Sequence, residues 1–191
     1  MYDPTQKAEI RQLTRQAVGA ALAGKRMTRP ADCTPFLLEP RGCFVTLHHG
    51  HDLRGCIGTF EARHPLIDTI IEMAGASTRD PRFVGNRVTL DELNQLTIEV
   101  SILTPLEPLD DPLDLRLGVD GIYIIDHSSG GMSRSGCFLP QVAPEQGWNV
   151  EQTLSFCCSH KMGLDPDAWR GKCDLRFFRF QAIVISEEDV T

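Results

Sequence analysis

The sequence lacks features that would assign it to several common classes of protein. It has no run of lysines or arginines, and its formal charge of −7 and pI of about 5.3 argue against nucleic acid as a main partner. No apolar stretch approaches the roughly 20 residues needed to cross a bilayer. The N-terminal segment MYDPTQKAEIRQ is polar and does not resemble a signal peptide. We therefore expect a soluble cytoplasmic protein with no membrane partner.

Zinc-ligand spacing and a disulfide framework are also missing, although cysteine is abundant. The chain has seven cysteines, an odd number, and no two of them form a CxxC pair. An odd count without a signal peptide favours free thiols, because the cytosol keeps thiols reduced. We predict no metal site, and nothing in the sequence identifies a cofactor. The cysteines are Cys33, Cys43, Cys56, Cys137, Cys157, Cys158 and Cys173.

What the sequence does contain is an irregular order of helical and strand patterns in 191 residues, 41% of them hydrophobic. The first helix is predicted to start at Asp3, with Pro4 and Gln6 in its first turn, and to stop at Gly24. The absence of regular strand–helix–strand alternation favours an α+β fold. Further helices are predicted after Pro65, Thr89 and Asn149, and strands in CFVTLHH, LRGCIG, TIEVSIL, GIYIID, GCFLP and RFFRFQAIVI.

One composition shift interrupts these patterns. The segment TPLEPLDDPLD, residues 104–114, holds three prolines and three aspartates, a composition that cannot continue the interior of a sheet. We interpret it as a junction between two lobes of a single domain that spans residues 1–191.

The segment LRGCIGTF places an arginine and a cysteine two residues apart between two glycines. Side chains alternate along a strand, so Arg54 and Cys56 are predicted to share one face. A neighbouring cation stabilises the thiolate form of cysteine and makes it a better nucleophile. The alternative is a buried thiol beside Gly55 and Gly58, which would then shape a tight sheet.

A second polar group lies on the strand TIEVSIL. Glu99 and Ser101 alternate with apolar residues that are predicted to face the core. Glu99 is a candidate general base for a cleft containing Cys56, or the anion that orients Arg54. A wet face of an antiparallel sheet explains the same pattern without any function.

Two other groups of residues attract a functional interpretation. The loop PQVAPEQGW carries Gln141, Glu145, Gln146 and Trp148, which suit binding of a small ligand or a partner, although an ordinary helix entry is equally compatible. The histidines of LHHGHD are predicted to lie in an exposed turn and not to bind metal.

Taken in order, LRGCIGTF, RDPRF, IEVSIL, GVDGI and FLPQVAPEQGW resemble the AMMECR domain family, also called AmmeMemoRadiSam system protein A. The likeness extends from the first helix to beyond Trp169. It implies a mostly antiparallel, barrel-like sheet built from two related halves and flanked by helices, with a larger and a smaller lobe.

The resemblance also implies association with a Memo-type protein and a radical S-adenosylmethionine enzyme. It names no reaction. Two functions follow as hypotheses: a component of a modification or metabolic system that acts on a small molecule or a macromolecule through a cleft of Cys56, Arg54 and Glu99, or a non-catalytic adaptor that docks onto one of those partners. Whether the protein is itself an enzyme stays open at this point.

Overall fold

The structure is a computed structural model that describes residues 2–60, 62–127 and 134–189. It divides into two compact units. The first unit comprises Met1–Leu103 and Ile183–Thr191, and the second comprises Thr104–Ala182. The boundary between Leu103 and Thr104 therefore coincides with the start of the proline- and aspartate-rich segment. That the whole chain is a single domain stays a prediction.

Helices and strands are numbered here in chain order. The helices are α1 (Pro4–Leu22), α2 (Leu66–Ser77), α3 (Val142–Gln146) and α4 (Val150–Phe156). The strands are β1 (Cys43–His49), β2 (Asp52–Thr59), β3 (Leu96–Leu103), β4 (Glu107–Pro108), β5 (Gly121–Asp126), β6 (Arg134–Phe138), β7 (Leu175–Phe180) and β8 (Ala182–Ser186).

Two helices and a four-stranded sheet build the first unit. Helix α1 begins as predicted, because Asp3 and Gln6 form a reciprocal capping box before Pro4. The sheet has the order β2-β1-β3-β8, so β2 lies at one edge. Alternate residues of the strands and the apolar stripes of both helices form its core. The largest fully buried side chains of this core are Ile10, Leu37, Leu47, Leu66, Ile67, Ile70, Ile98 and Ile102.

The second unit has a sheet of order β4-β7-β5-β6 with short helices. Strands β5 and β6 pair antiparallel, as the predicted hairpin requires, and residues 128–133 between them lie outside the described residues. Asn149 caps α4 with Gln152 in a capping box. The chain then continues as a π-helical turn, Cys157–Lys161, whose two cysteines are buried in the core.

The α+β prediction is confirmed. The strand pairs of both sheets are antiparallel, also as predicted. The strands form two separate four-stranded sheets and not one closed barrel. No helix in the described parts of the chain has the length and apolar character to cross a membrane.

Candidate functional site

Strand register in the first unit places three polar side chains in one row. Thr46 of β1 is opposite Cys56 of β2 on one side and opposite Glu99 of β3 on the other. Neighbouring strands lie about 4.8 Å apart, so Cys56 and Glu99 are about 10 Å apart at their Cα atoms, with Thr46 between them. A ligand placed over Thr46 would contact both.

Cys56 is half-buried, and the residue has a polar neighbour on each side. The Thr46 hydroxyl lies 3.3 Å from the sulfur and donates a hydrogen bond to it. The backbone N–H of Cys56 points away from β1, so Thr46 and Cys56 form a non-hydrogen-bonded pair, the type in which side chains approach most closely. On the other side of Cys56, the guanidinium of Arg82 donates to the carbonyl oxygen of the same residue.

The predicted side-by-side placement of Arg54 and Cys56 is wrong. The register of β1 and β2 shifts between Leu47 and His48, which leaves Arg54 as the extra residue of a β-bulge. A bulge redirects its side chain, and Arg54 instead donates to Glu92 at 2.7 Å. The simple alternation expected for LRGCIG therefore fails at this residue.

Arg54 contacts two residues that lie between α2 and β3, Glu92 and Asn86. Its ion pair holds the pKa of Glu92 at about 2, and it lies 3.4 Å from two oxygens of Asn86. The alternative pairing with Glu99 is not formed. Within the described residues the buried Nε atom of Arg54 has no hydrogen-bond partner. This side chain fixes the end of β2 and does not contact the thiol.

The cation beside Cys56 is Arg82, which the sequence analysis did not select. Arg82 follows Asp80 in the turn that ends α2, and its Nη2 donates to the Cys56 carbonyl oxygen at 2.9 Å. Its pKa is raised by the hydrogen bond to Asp80 first, and to a lesser degree by Cys56. The RDPRF segment pointed to this residue, but only as part of a family pattern.

Asp80 anchors Arg82 and Cys56 together. Its carboxylate is almost fully buried and accepts hydrogen bonds from the Cys56 N–H at 2.9 Å and from the Arg82 N–H at 3.0 Å. Arg82 Nη2 donates to the same carboxylate at 2.6 Å. These contacts, that of Arg82 first, lower the pKa of Asp80 to about 2.

Asp80 and Arg82 thus replace a neighbouring strand at the open edge of the sheet. One accepts from the N–H of Cys56 and the other donates to its carbonyl oxygen, so both outward backbone groups of Cys56 are satisfied. The backbone of Cys56 is thus fixed, and its side chain stays partly accessible to solvent.

The glycines on either side of Cys56 have packing roles. A Cβ on Gly55 would lie 2.3 Å from the carbonyl oxygen of Ser77, so α2 can approach β2 only because this residue is glycine. A Cβ on Gly58 would lie 2.2 Å from the ring of Phe44, which covers that position from β1. The packing interpretation is therefore correct for the glycines, although it leaves the role of Cys56 open.

Glu99 and Ser101 occupy the same face of β3 but differ in exposure. Glu99 is half-buried, whereas Ser101 is buried to 1%. Ser101 is opposite Phe44, one row along the strands from Glu99 and Thr46. The two residues therefore line neighbouring rows, and Glu99 is the one in register with the thiol.

The predicted binding residues of the second unit divide into two groups. Trp148 packs against Phe138 and Phe156 with ring centroids 5.4 and 4.6 Å apart, so it belongs to an aromatic cluster of the core. Glu145 and Gln146 are exposed on α3. Gln141 precedes α3, and its side chain makes no capping hydrogen bond. Routine helix capping does not account for these three polar side chains.

The histidine turn has a structural contact of its own. His49 lies 2.9 Å from the side-chain oxygen of Gln95, and His51 is exposed beyond the end of β1. In the described ranges, no three His, Cys, Asp or Glu side chains are grouped as metal ligands. The prediction that these histidines bind no metal stays a prediction.

Comparisons with known proteins give one family. The AMMECR1 family model matches residues 11–185. A protein of Methanothermobacter thermautotrophicus is 41% identical over 98% of both chains, and Protein MJ0810 of Methanocaldococcus jannaschii is 42% identical over 87% of this chain and 82% of its own. These names state no activity.

A solved structure agrees with this result. The crystal structure of the uncharacterized protein PH0010 from Pyrococcus horikoshii matches with a TM-score of 0.81 at 37% identity, covering 94% of this chain and 90% of that one. The family model itself spans β1 to β3 and the turn that carries Asp80 and Arg82. The chain belongs to the AMMECR1 family.

Proposed function

We propose that this protein is a cytoplasmic enzyme component in which the Cys56 thiol is the reacting group. The observation that carries the proposal is the guanidinium of Arg82, which Asp80 holds beside Cys56 and which donates to the Cys56 carbonyl oxygen at 2.9 Å. Reactive cysteines are commonly found partly exposed beside a fixed cation.

Each neighbouring residue has a separate part in this proposal. Asp80 is buried and holds Arg82 in place, so it is a positioning residue. Thr46 donates to the sulfur and lies between it and Glu99. Glu99 is the candidate general base or the group that binds a polar part of the substrate. Arg54 acts only at a distance, because its ion pair with Glu92 fixes the bulge at the end of β2.

The larger system is inferred from family resemblance. We propose that the substrate is a small molecule and that the protein works with a Memo-type protein and a radical S-adenosylmethionine enzyme. Ser101 lies in the row next to Glu99 and would extend the binding surface along β3. The proposal does not depend on a bound metal.

A second candidate function is that of an adaptor for one of these partners. It is favoured by the three polar side chains at α3, since Gln141 does not cap the helix and both Glu145 and Gln146 are exposed. Exposed polar side chains that the fold does not use suit contact with another protein. In this function Cys56 would be structural.

Thiol labelling tests the enzymatic proposal. After a short pulse of iodoacetamide at pH 7, peptide mapping should show Cys56 as the most rapidly modified of the seven cysteines. Arg82→Met should slow its labelling about tenfold because the cation is lost, whereas Arg82→Lys should retain most of the rate. Arg87→Met is the matched control, since Arg87 is an exposed arginine of the same segment.

Two results would end the enzymatic proposal. One is a Cys56 thiol that is labelled only after denaturant is added. The other is equal labelling in the Arg82→Met and Arg87→Met variants while circular dichroism shows both to be folded. Arg54→Met provides a further check, because a folded Arg54→Met variant should label Cys56 at close to the wild-type rate.

A further inference from the structure

A groove of about 940 Å³ lies in the first unit, between α1 and α2. We call it the α1–α2 groove. Its apolar surface includes Ala17 and Ala21 of α1 and Ile71 of α2, and basic side chains from the turn after α1 and from the end of α2 surround it. The volume is within the range of sites that hold small organic ligands.

The basic side chains of the groove are mostly unpaired. Lys25, Arg26 and Arg79 line it, and in the described part of the chain no carboxylate lies within ion-pair distance of any of them. Arg29 also lines the groove, but Asp68 accepts hydrogen bonds from its guanidinium. Three cations without an ion-pair partner, against one further carboxylate of the lining, Glu72, are unexpected in a chain whose formal charge is −7.

Arg79 lies over the surface of α2 at Gly75, close to α1. The guanidinium of Arg79 lies 3.7 Å from the position that a Cβ on Gly75 would occupy, and the Ala21 methyl is 3.9 Å from that position. Small residues on both helices therefore leave room over α2 for a guanidinium and for a ligand beside it. Arg79 directly precedes Asp80, so the same turn carries a residue of the groove and the carboxylate that binds the backbone of Cys56.

We propose that the α1–α2 groove binds a phosphate monoester with an apolar or aromatic body. Guanidinium groups bind phosphate oxygens with two parallel hydrogen bonds, and the nearby lysine adds a further charge. Three cations can offset a dianionic phosphate, while Ala17, Ala21 and Ile71 provide an apolar surface for the organic part. With Glu72 counted against the three cations, the groove carries two excess positive charges, and a simple carboxylate would offset only one of them. Such a site is distinct from the Cys56 thiol and does not depend on its reactivity.

Calorimetric titration with adenosine 5′-monophosphate and with phenyl phosphate tests the proposal. Both should bind saturably, and inorganic phosphate should bind at least tenfold more weakly because it leaves the apolar surface uncovered. Arg79→Gln should raise the Kd about tenfold, as should the double variant Lys25→Gln and Arg26→Gln. Arg87→Gln is the matched control, an exposed arginine outside the groove lining, and it should leave the Kd within twofold of wild type.

Glu72 supplies a test that loss of folding cannot imitate. It is an exposed carboxylate of the groove lining, and it repels an anion bound there. Glu72→Gln should therefore lower the Kd about threefold. Affinity should also fall when the salt concentration rises from about 0.05 M to about 0.5 M, because salt screens the attraction between exposed charges.

Three outcomes would overturn the proposal. The first is no saturable binding of either ester by the wild-type protein. The second is an equal Kd for the Arg79→Gln and Arg87→Gln variants. The third is inorganic phosphate binding as tightly as the two esters, which would show that the apolar surface takes no part.

Discussion

Asp80 in the first unit and Asp120 in the second are buried aspartates, each paired with a half-exposed arginine, but the two pairs bind different groups. In both Asp80–Arg82 and Asp120–Arg116 the carboxylate side chain is 1% exposed and the arginine 56% exposed. Asp120 bonds mainly to the backbone and guanidinium of Arg116, four residues earlier. Asp80 also binds the backbone of Cys56, 24 residues away in another strand. The aspartate–arginine pair of the second unit connects residues of a single turn. That of the first unit also holds the strand residue that carries a thiol.

The cysteines of the two units differ in a parallel way. Cys157 and Cys158 are buried in the second unit, and burial raises the pKa of both, that of Cys158 to about 11. Burial likewise raises the pKa of Cys43, in the core of the first unit, to about 12. Cys56 is partly exposed, and the guanidinium of Arg82 is held beside it by a hydrogen bond to its carbonyl oxygen. Abundant cysteine therefore carries little information, and exposure beside a fixed cation identifies the reactive candidate.

The largest expected effect comes from filling the space at Gly55. Gly55→Ala should lower the free energy of unfolding by about 3 kcal/mol, because the new methyl meets the backbone oxygen of Ser77 at 2.3 Å. Gly136→Ala in the second unit should cost about 2 kcal/mol, since its nearest atoms are Met162 Cγ at 2.7 Å and Lys161 Cβ at 2.8 Å and none is a backbone atom. Urea unfolding of each variant measures the difference.

Gly85→Ala is the control for this pair, because a Cβ there meets nothing within 4 Å. It should change the free energy of unfolding by less than about 0.5 kcal/mol. Equal costs at Gly55 and Gly136 would contradict the view that α2 and β2 are in rigid backbone contact.

The next effect concerns Asp80 and pH. Its folded-state pKa of about 2 is below the ordinary value of 3.8, so its contribution is present above pH 3.8 and is lost as pH falls through 2. The shift corresponds to about 2 kcal/mol. Asp80→Asn should remove this amount at pH 7, and its unfolding free energy should fall less steeply than that of the wild type between pH 4 and pH 2.

Asp120→Asn provides the comparison from the second unit. The pKa of Asp120 is lowered too, chiefly by Arg116, so its stability contribution has the same sign and is lost in acid. Only Asp80→Asn should also alter the labelling rate of Cys56, because only Asp80 contacts that residue. A change of that rate in Asp120→Asn, with none in Asp80→Asn, would reverse the roles assigned to the two pairs.

Much of the fold could be predicted from local patterns. Local interactions determine the capping boxes at Asp3 and Asn149 and the alternation of TIEVSIL. Because these interactions join residues close in sequence, the sequence alone predicts them. The two-sheet arrangement was less accessible, because the sequence does not say where an antiparallel sheet closes or divides. Resemblance to the family, and not periodicity, suggested a barrel-like sheet.

The candidate site was predicted in part. A cleft shared by Cys56 and Glu99 was one of two hypotheses from the sequence and stays a prediction; the strand register puts both residues opposite Thr46. Strand alternation failed for Arg54, because a bulge is set by the pairing of two strands and leaves no reliable local signal. Arg82 was missed since it lies 26 residues from Cys56 and reaches it only through the fold. An aspartate before a proline and an arginine was the available signal for this turn.

The smallest expected effect on stability is at α3 in the second unit. Replacing Gln141, Glu145 and Gln146 by alanine should change the free energy of unfolding by less than about 0.5 kcal/mol for each residue, because the fold does not use their side chains. Trp148→Ala is the contrasting variant and should cost about 3 kcal/mol, since the indole packs between two aromatic rings. Thermal or urea unfolding separates these outcomes.

The same triple variant decides which unit carries the function. If the protein is an enzyme component acting through Cys56, the triple variant should keep wild-type labelling of that thiol and should bind a purified Memo-type protein as the wild type does. If it is an adaptor, partner binding in a sedimentation assay should fall at least tenfold while Cys56 labelling stays unchanged. A triple variant that loses more than about 2 kcal/mol of unfolding free energy would contradict the role of α3 as a docking surface. Its polar side chains would then be part of the packing of the second unit.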